Sequence, residues 1–215
     1  MAAGNEEAQA AIISEIQSLL ASSDSNPSAQ LFAAQVFLKH GLTKDALQCV
    51  HLGTVLEHNA LALQIYLKLD RLDLAQQALG ILKAADEESV LTSLASAHIA
   101  LAGGSSTAGD ALHYLNALSE QYGPSPLLLI LSACANILVG EYSEAETKLL
   151  EGKKEFGNNA DLLINLIVAS QYLDKSSDEY VQELRESFPH CHFLQALDRV
   201  DGAYSREAVK YKVAA

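Results

Sequence analysis

The side chains in this chain with most chemical capacity are its three cysteines, its seven histidines and a few adjacent carboxylates, and spacing decides what they can do. His190-Cys191-His192 brings together sulfur and nitrogen ligands. Tetrahedral zinc needs four such ligands, usually as two spaced pairs. Consecutive residues on a helix point apart and no second pair stands at i+3 or i+4, so the tripeptide reads as a helix start after Pro189, with no metal assigned. His40, His51, His58, His98 and His113 occur singly, and most of them read as surface or half-buried helix residues. Cys134 sits in an apolar stretch with no base near it in sequence, which makes it a packed thiol and not a nucleophile.

Asp86-Glu87-Glu88 and Asp178-Glu179 resemble an acid and base pair, but each falls in the first turn of a predicted helix, where carboxylates complement free amides and the helix dipole. The glycine-rich stretch Gly103 to Gly109 lacks the Gly-Lys-Ser/Thr ending of a phosphate cradle and follows no strand. Neither a Gly-x-Ser-x-Gly elbow nor a His-Glu-x-x-His helix occurs. No catalytic residue, metal or cofactor is assigned, and the chain reads as a protein other than an enzyme.

Fourteen Lys and Arg against 27 Asp and Glu give a net charge of −13. Nucleic acid and anionic lipid are thereby disfavoured as direct ligands, since phosphate contacts rest on clustered Lys and Arg. Basic partner surfaces are compatible. An odd, widely spaced set of cysteines and an N-terminus without a basic and apolar leader point to a reducing, cytosolic compartment. The run Leu127 to Val139 is shorter than the roughly 20 residues of a membrane span and contains Ser132 and Asn136, so it reads as a buried core helix.

The elements that position these residues are helices. Hydrophobic residues make up 49% of the chain, Ala and Leu dominate, Trp is absent, and runs of β-branched residues are missing. Apolar spacing and stop signals predict helices at 5 to 22, 28 to 40, 43 to 53, 57 to 69, 72 to 84, 87 to 102, 108 to 122, 125 to 139, 142 to 156, 159 to 173, 177 to 188 and 191 to 213. A pattern recurs among them. A small or aromatic residue is followed by a turn residue and then by a second small residue: Ala34, Phe37, Gly41 and Ala46; Tyr66, Asp70 and Ala75; Ala133, Gly140 and Ala145. With Ala111, these second-helix alanines are separated by 29, 36 and 34 residues, close to the 34-residue tetratricopeptide period. Small residues suit the point where two helices cross, because a larger side chain forces the backbones apart.

The fold class expected is all-α, a tetratricopeptide-like α-solenoid of antiparallel helix pairs forming an α-α superhelix. It comprises a single domain over 1–215, with about five pairs, terminal capping helices and a flexible loop at 103–109. The fifth pair matches the pattern poorly. A bulky residue at Ala145 is expected to wedge its pair apart.

The first helix of each pair lines the inner face of such a stack. In this phase the partner-binding residues are Leu31, Gln35 and Leu38, then Gln64 and Leu67, then Ser96 and Ile99, and finally Leu127, Ile130, Cys134 and Ile137. The lining is apolar and small. Gripping an acidic peptide tail requires Lys, Arg and Asn, whereas the polar residues here are Gln and Ser, so a co-chaperone role is disfavoured. An apolar lining suits a partner segment that stays attached. On this phase, arginine at Ile130 is expected to impair binding with little loss of stability.

Asp45-Ala-Leu-Gln-Cys-Val-His51, Leu61 to Ala75, Leu91-Thr-Ser-Leu-Ala95 before Gly103-Gly104, Gly140-Glu-Tyr-Ser-Glu-Ala-Glu146 and Asn165-Leu-Ile-Val-Ala-Ser-Gln171 together resemble the epsilon subunit family of coatomer, the COPI vesicle coat. The resemblance covers roughly residues 28 to 190. It implies a tetratricopeptide-like solenoid that binds the C-terminal region of the coatomer alpha subunit in an obligate hetero-complex. It also implies a cytoplasmic coat, peripheral on Golgi membranes and COPI vesicles, that serves retrograde transport to the endoplasmic reticulum. The helix at 5 to 22 resembles an internal helix of the family, and the units that normally precede it are not in this sequence. The competing expectation is a general tetratricopeptide adaptor that captures short peptide motifs reversibly.

Overall fold

The computed structural model describes residues 11–20, 26–53 and 55–211, and helix is the regular secondary structure among them. Two compact units emerge, one ending at Gly103 and the other beginning at Gly104. The first holds α1 (11–20), α2 (Pro27–Lys39), α3 (Thr43–Val50), α4 (Leu56–Lys68), α5 (Leu72–Ala85) and α6 (Val90–Ala102). The second holds α7 (Ala108–Tyr122), α8 (Pro126–Val139), α9 (Tyr142–Phe156), α10 (Ala160–Tyr172), α11 (Asp178–Ser187) and α12 (His192–Lys210). Predicted ends at 5–10, 21–22 and 212–213 lie outside the described residues; the others agree to within about three residues, the usual scatter of helix termini.

Each unit is built from antiparallel pairs whose first helices also touch. In the first unit α2 packs on α3 and α4 on α5, while α4 meets both α2 and α6. In the second, α8 packs on α9 and α10 on α11, while α8 meets α10.

One turn geometry recurs within the pairs. Gly41, Asp70, Gly140 and Asp174 all adopt the left-handed conformation, with φ of 76°, 57°, 86° and 54°. The amide of the following residue then reaches back to the carbonyl of Phe37, Tyr66, Asn136 or Ser170, over 2.8, 2.9, 2.8 and 2.9 Å. These bonds satisfy carbonyls that a helix end leaves open. The fifth pair therefore has the shared turn, though Glu179 stands where the earlier pairs carry alanine. A Cβ on Gly140 would meet nothing within 4 Å, so the cost of substituting it is backbone strain alone. Gly140→Ala is expected to destabilise the protein by about 1 kcal/mol, and Asp70→Gly to stabilise it by roughly 0.5–1 kcal/mol, both read by thermal melting.

Except for α4, whose N-cap Val55 makes no side-chain bond, the first helices of the pairs open differently from the second. Asn26, Ser89, Ser125 and Asn159 cap α2, α6, α8 and α10 with a side-chain oxygen that accepts a first-turn amide. Second helices α3, α5 and α9 carry no such cap, because the preceding turn already aims the chain. Ser89 corrects one expectation: Asp86, Glu87 and Glu88 precede α6 and are not in its first turn, and the Asp86 carboxylate accepts the Glu88 amide at 3.1 Å. Asp178 and Glu179 do stand in the first turn of α11.

The cores confirm the crossing residues. Ala46, Ala75, Ala111 and Ala145 are all fully buried. Phe37, Val50 and Ile65 surround Ala46 in the first unit, with Ile13, Ile16 and Leu20 of α1 laid against them. In the second unit Ile130, Ala133, Leu149, Leu162 and Leu166 surround Ala145, and a further cluster joins Leu163 and Ile167 to Leu184 and Leu194. His58 is the buried exception among the single histidines; its Nε2 donates to the Pro27 carbonyl at 2.7 Å, tying α4 to the start of α2. The expected loop at 103–109 is shorter, 103–107. Ala108 and Gly109 belong to α7, Ala108 is fully buried, and the Thr107 and Ala108 amides donate to the Gly104 carbonyl at 3.2 and 3.1 Å.

Candidate partner-binding surface

In the first unit, α2, α4 and α6 supply the expected face. Gln35 and Gln64 are exposed, and Leu31 is half-buried. Leu38, Leu67 and Ile99 are half-buried and lean on the core clusters. Ser96 does not belong to an accessible face: it is buried, and its hydroxyl donates to the Thr92 carbonyl at 2.9 Å, satisfying itself within its own helix. Phe32, next to Leu31, is the large apolar residue that the sequence reading omitted, with 66% of its surface exposed. It joins Ile16, Leu20 and Val36 in an apolar groove of about 540 Å³ between α1 and α2.

In the second unit the face is built on α8 and α10. Leu127 is half exposed at 50%, whereas Ile130 is buried among Ala133, Ala145 and Leu149. Ile130 is therefore a core residue, and the expectation that arginine there would spare stability does not hold. Cys134 and Ile137 are half-buried and pack on that same cluster. The accessible stripe of α8 runs through Leu127, Leu131, Cys134 and Leu138, one position round from the predicted one at two of its four places.

Cys134 is held at the seam between α8 and α10. Its Sγ donates to Asn165 Oδ1 at 3.3 Å, and Asn165 in turn donates to the Asp161 carbonyl at 2.7 Å. Burial pushes the thiol pKa up and the Asp161 charge adds to the effect. Thiolate is the reactive form. Cys134 is therefore expected to alkylate severalfold more slowly than a free thiol at pH 7.5, measured by mass spectrometry after maleimide labelling, and Asp161→Asn is expected to speed it. Labelling as fast as glutathione would mean an open seam.

His190, Cys191 and His192 line a groove of about 580 Å³ together with Ile164, Phe188 and Phe193. Cys191 stands at the N-cap of α12 and packs on the apolar cluster there, in keeping with a helix start. No group of three His, Cys, Asp or Glu among the described residues is arranged to hold a metal ion.

Comparison with solved structures bears on the fold. The chain resembles a tetratricopeptide repeat protein from Parabacteroides merdae with a TM-score of 0.75 at 15% identity, over 90% of this chain and 77% of that one. A thermophilic tetratricopeptide protein of Thermus thermophilus gives 0.68 at 16% identity, over 80% and 96%. The architecture is thus that of tetratricopeptide-like repeats. Sequence similarity goes further. Coatomer subunit epsilon-1 of Arabidopsis thaliana is 34% identical over 160 residues, covering 74% of this chain and 55% of the relative. Coatomer subunit epsilon-2 of the same plant is 30% identical over 196 residues, covering 90% and 67%. The epsilon subunit of Caenorhabditis elegans is 29% identical over 209 residues, covering 95% and 71%. The chain spans 55% and 58% of the length of the epsilon-1 subunits of Arabidopsis and rice. The sequence model for the coatomer epsilon subunit matches residues 1–212, and with these relatives it establishes that the chain belongs to the coatomer epsilon subunit family.

Proposed function

We propose that this chain is a non-catalytic structural subunit of the COPI coat that binds and stabilises the C-terminal region of the coatomer alpha subunit in Golgi-to-endoplasmic reticulum retrograde transport. Family membership over residues 1–212 carries the reading. The exposed and half-buried apolar side chains along α8, Leu127, Leu131 and Leu138, support it, since lasting subunit contacts bury apolar surface. The partner-binding surface comprises Leu31, Gln35, Leu38, Gln64, Leu67 and Ile99 in the first unit and Leu127, Cys134 and Ile137 in the second, with Leu131 and Leu138 added. Its place is the cytoplasm and, through the assembled coat, the surface of Golgi membranes and COPI vesicles. No helix among the described residues is long and apolar enough to cross a membrane, which suits association through the coat.

A reversible peptide adaptor is the second reading, favoured by the polar residues Gln35 and Gln64 beside Leu31 and Leu67 in the first unit. Co-purification separates the two. Recombinant chain is expected to retain the alpha C-terminal region through a high-salt wash, and Leu131→Arg to abolish retention without loss of helical circular dichroism. Failure of the folded wild-type chain to retain it removes the coat-subunit reading, and micromolar exchange of free peptides without a stable partner would replace it with the adaptor.

A further inference from the structure

Within the second unit, a groove of about 630 Å³ opens where α8 ends and α9 begins, walled by Asn116 of α7, Asn136 of α8, and Glu141, Tyr142, Glu144 and Lys148 around the start of α9. We propose that this groove receives an extended, basic segment of a partner protein, with its main chain on Asn136 and a cationic side chain on Glu141 and Glu144. The proposal stands apart from the alpha-subunit reading and from the apolar face of α8.

Asn136 is the observation that points to a ligand. It is 1% exposed, and its Nδ2 has no hydrogen-bond partner. A buried amide without a partner is rare in a folded protein. At the equivalent place in the shared turn the first unit has Phe37 and Tyr66, and the fifth pair has Ser170, whose buried hydroxyl also lacks a partner, so holding a pair together does not call for a polar group. Glu141 at the N-cap makes no side-chain bond to the first amides of α9, which leaves N–H donors facing the same end. Donors of this kind suit main-chain carbonyls.

Charge selects what accompanies them. Glu141 and Glu144 set two carboxylates against Lys148, whose ammonium is 3.8 Å from Glu144, too long for a hydrogen bond. Tyr142 is stacked flat on Tyr172 at 4.4 Å and gives the groove an aromatic group of the kind a guanidinium covers. An anionic ligand would meet net negative charge here and in the whole chain, which carries −13. A main chain offering carbonyls together with an Arg or Lys side chain fits both sets of groups.

The test is titration of the isotope-labelled chain with a capped nonapeptide of alternating Ala and Arg, followed by amide NMR. Matched peptides carry citrulline or Glu in place of Arg. Shifts are expected at the Asn136 side-chain amide and the backbone of 141–144. Binding should weaken at least fivefold in the Glu141→Gln/Glu144→Gln double variant and in Asn136→Leu, and at least tenfold for the citrulline peptide. Absent shifts, shifts spread over acidic surface elsewhere, equal binding of the Glu peptide, or undiminished binding by Asn136→Leu would each overturn the proposal. The glutamate variant alters exposed side chains, so it decides the matter even where Asn136→Leu does not fold.

Discussion

Arginine in place of Ile130 is expected to lower the stability of the second unit by on the order of 3–5 kcal/mol, combining a vacated apolar site with a buried unpaired charge. Ile130 is 9% exposed and packs with Ala133, Ala145, Leu149, Leu162 and Leu166. The guanidinium has either to remain among these side chains or to lever α8 away from α9 and α10. Thermal denaturation reads the effect as a fall of about 10 °C for a chain of this size. Leu131→Arg is the matched control. Its side chain lies one position round the same helix and is half-buried, so the loss there is expected to stay near about 1 kcal/mol. Equal melting of the two variants would show that the rotation of α8 is wrong by one residue.

That rotation is where the sequence was least legible, and the reason is physical. Helix α8 reads Pro-Leu-Leu-Leu-Ile-Leu-Ser-Ala-Cys-Ala-Asn-Ile-Leu-Val, apolar on every side, so no polar face exists to fix its phase. Its two polar residues mislead as well, because Ser132 and Asn136 are buried. Helix α4 is different: Glu57, Gln64 and Lys68 mark an exposed side, and the phase of that helix can be read from them. Helix α6 shows the same weakness as α8. Ser96 looks like an exposed small polar residue but bonds its own backbone, a choice that a sequence does not reveal.

Pair architecture, by contrast, was written plainly, because it depends on residue types with few alternatives. A glycine before an alanine five residues on reads directly as a tight turn into a close helix crossing at Gly41 and Gly140. Asp174 hides the same turn in the fifth pair, since aspartate reaches the left-handed region less often and is used for many other purposes. Asp86 and Ser89 compete as helix starters by the same capping chemistry, and the choice between them rests on which side chain reaches a first-turn amide; Ser89 Oγ accepts from Leu91 at 3.2 Å. The groove beside Asn136 had no sequence signal of its own, because it arises only when the ends of α8 and α9 are brought together by their turn.

The crossing alanine supports the second large prediction. Phenylalanine at Ala145 is expected to destabilise the second unit by about 1–3 kcal/mol through overpacking. The face that α9 turns to the core is Ala145, Leu149 and Gly152, all buried, with Ala133 of α8 fully buried in the same cluster. A new ring has to displace the close-packed Ile130, Leu149, Leu162 and Leu166 side chains or separate the backbones of α8 and α9. Gly152→Ala is the graded comparison. A Cβ there would approach Leu129 Cδ1 at 3.2 Å and Leu162 Cδ1 at 3.4 Å, contacts with the far ends of two leucines that can turn aside. The expected order by thermal melting is wild type and Gly152→Ala close together, with Ala145→Phe well below. If Ala145→Phe melts with the wild type, the crossing is loose enough to admit a ring, and the account of why an alanine recurs at residues 46, 75, 111 and 145 is wrong.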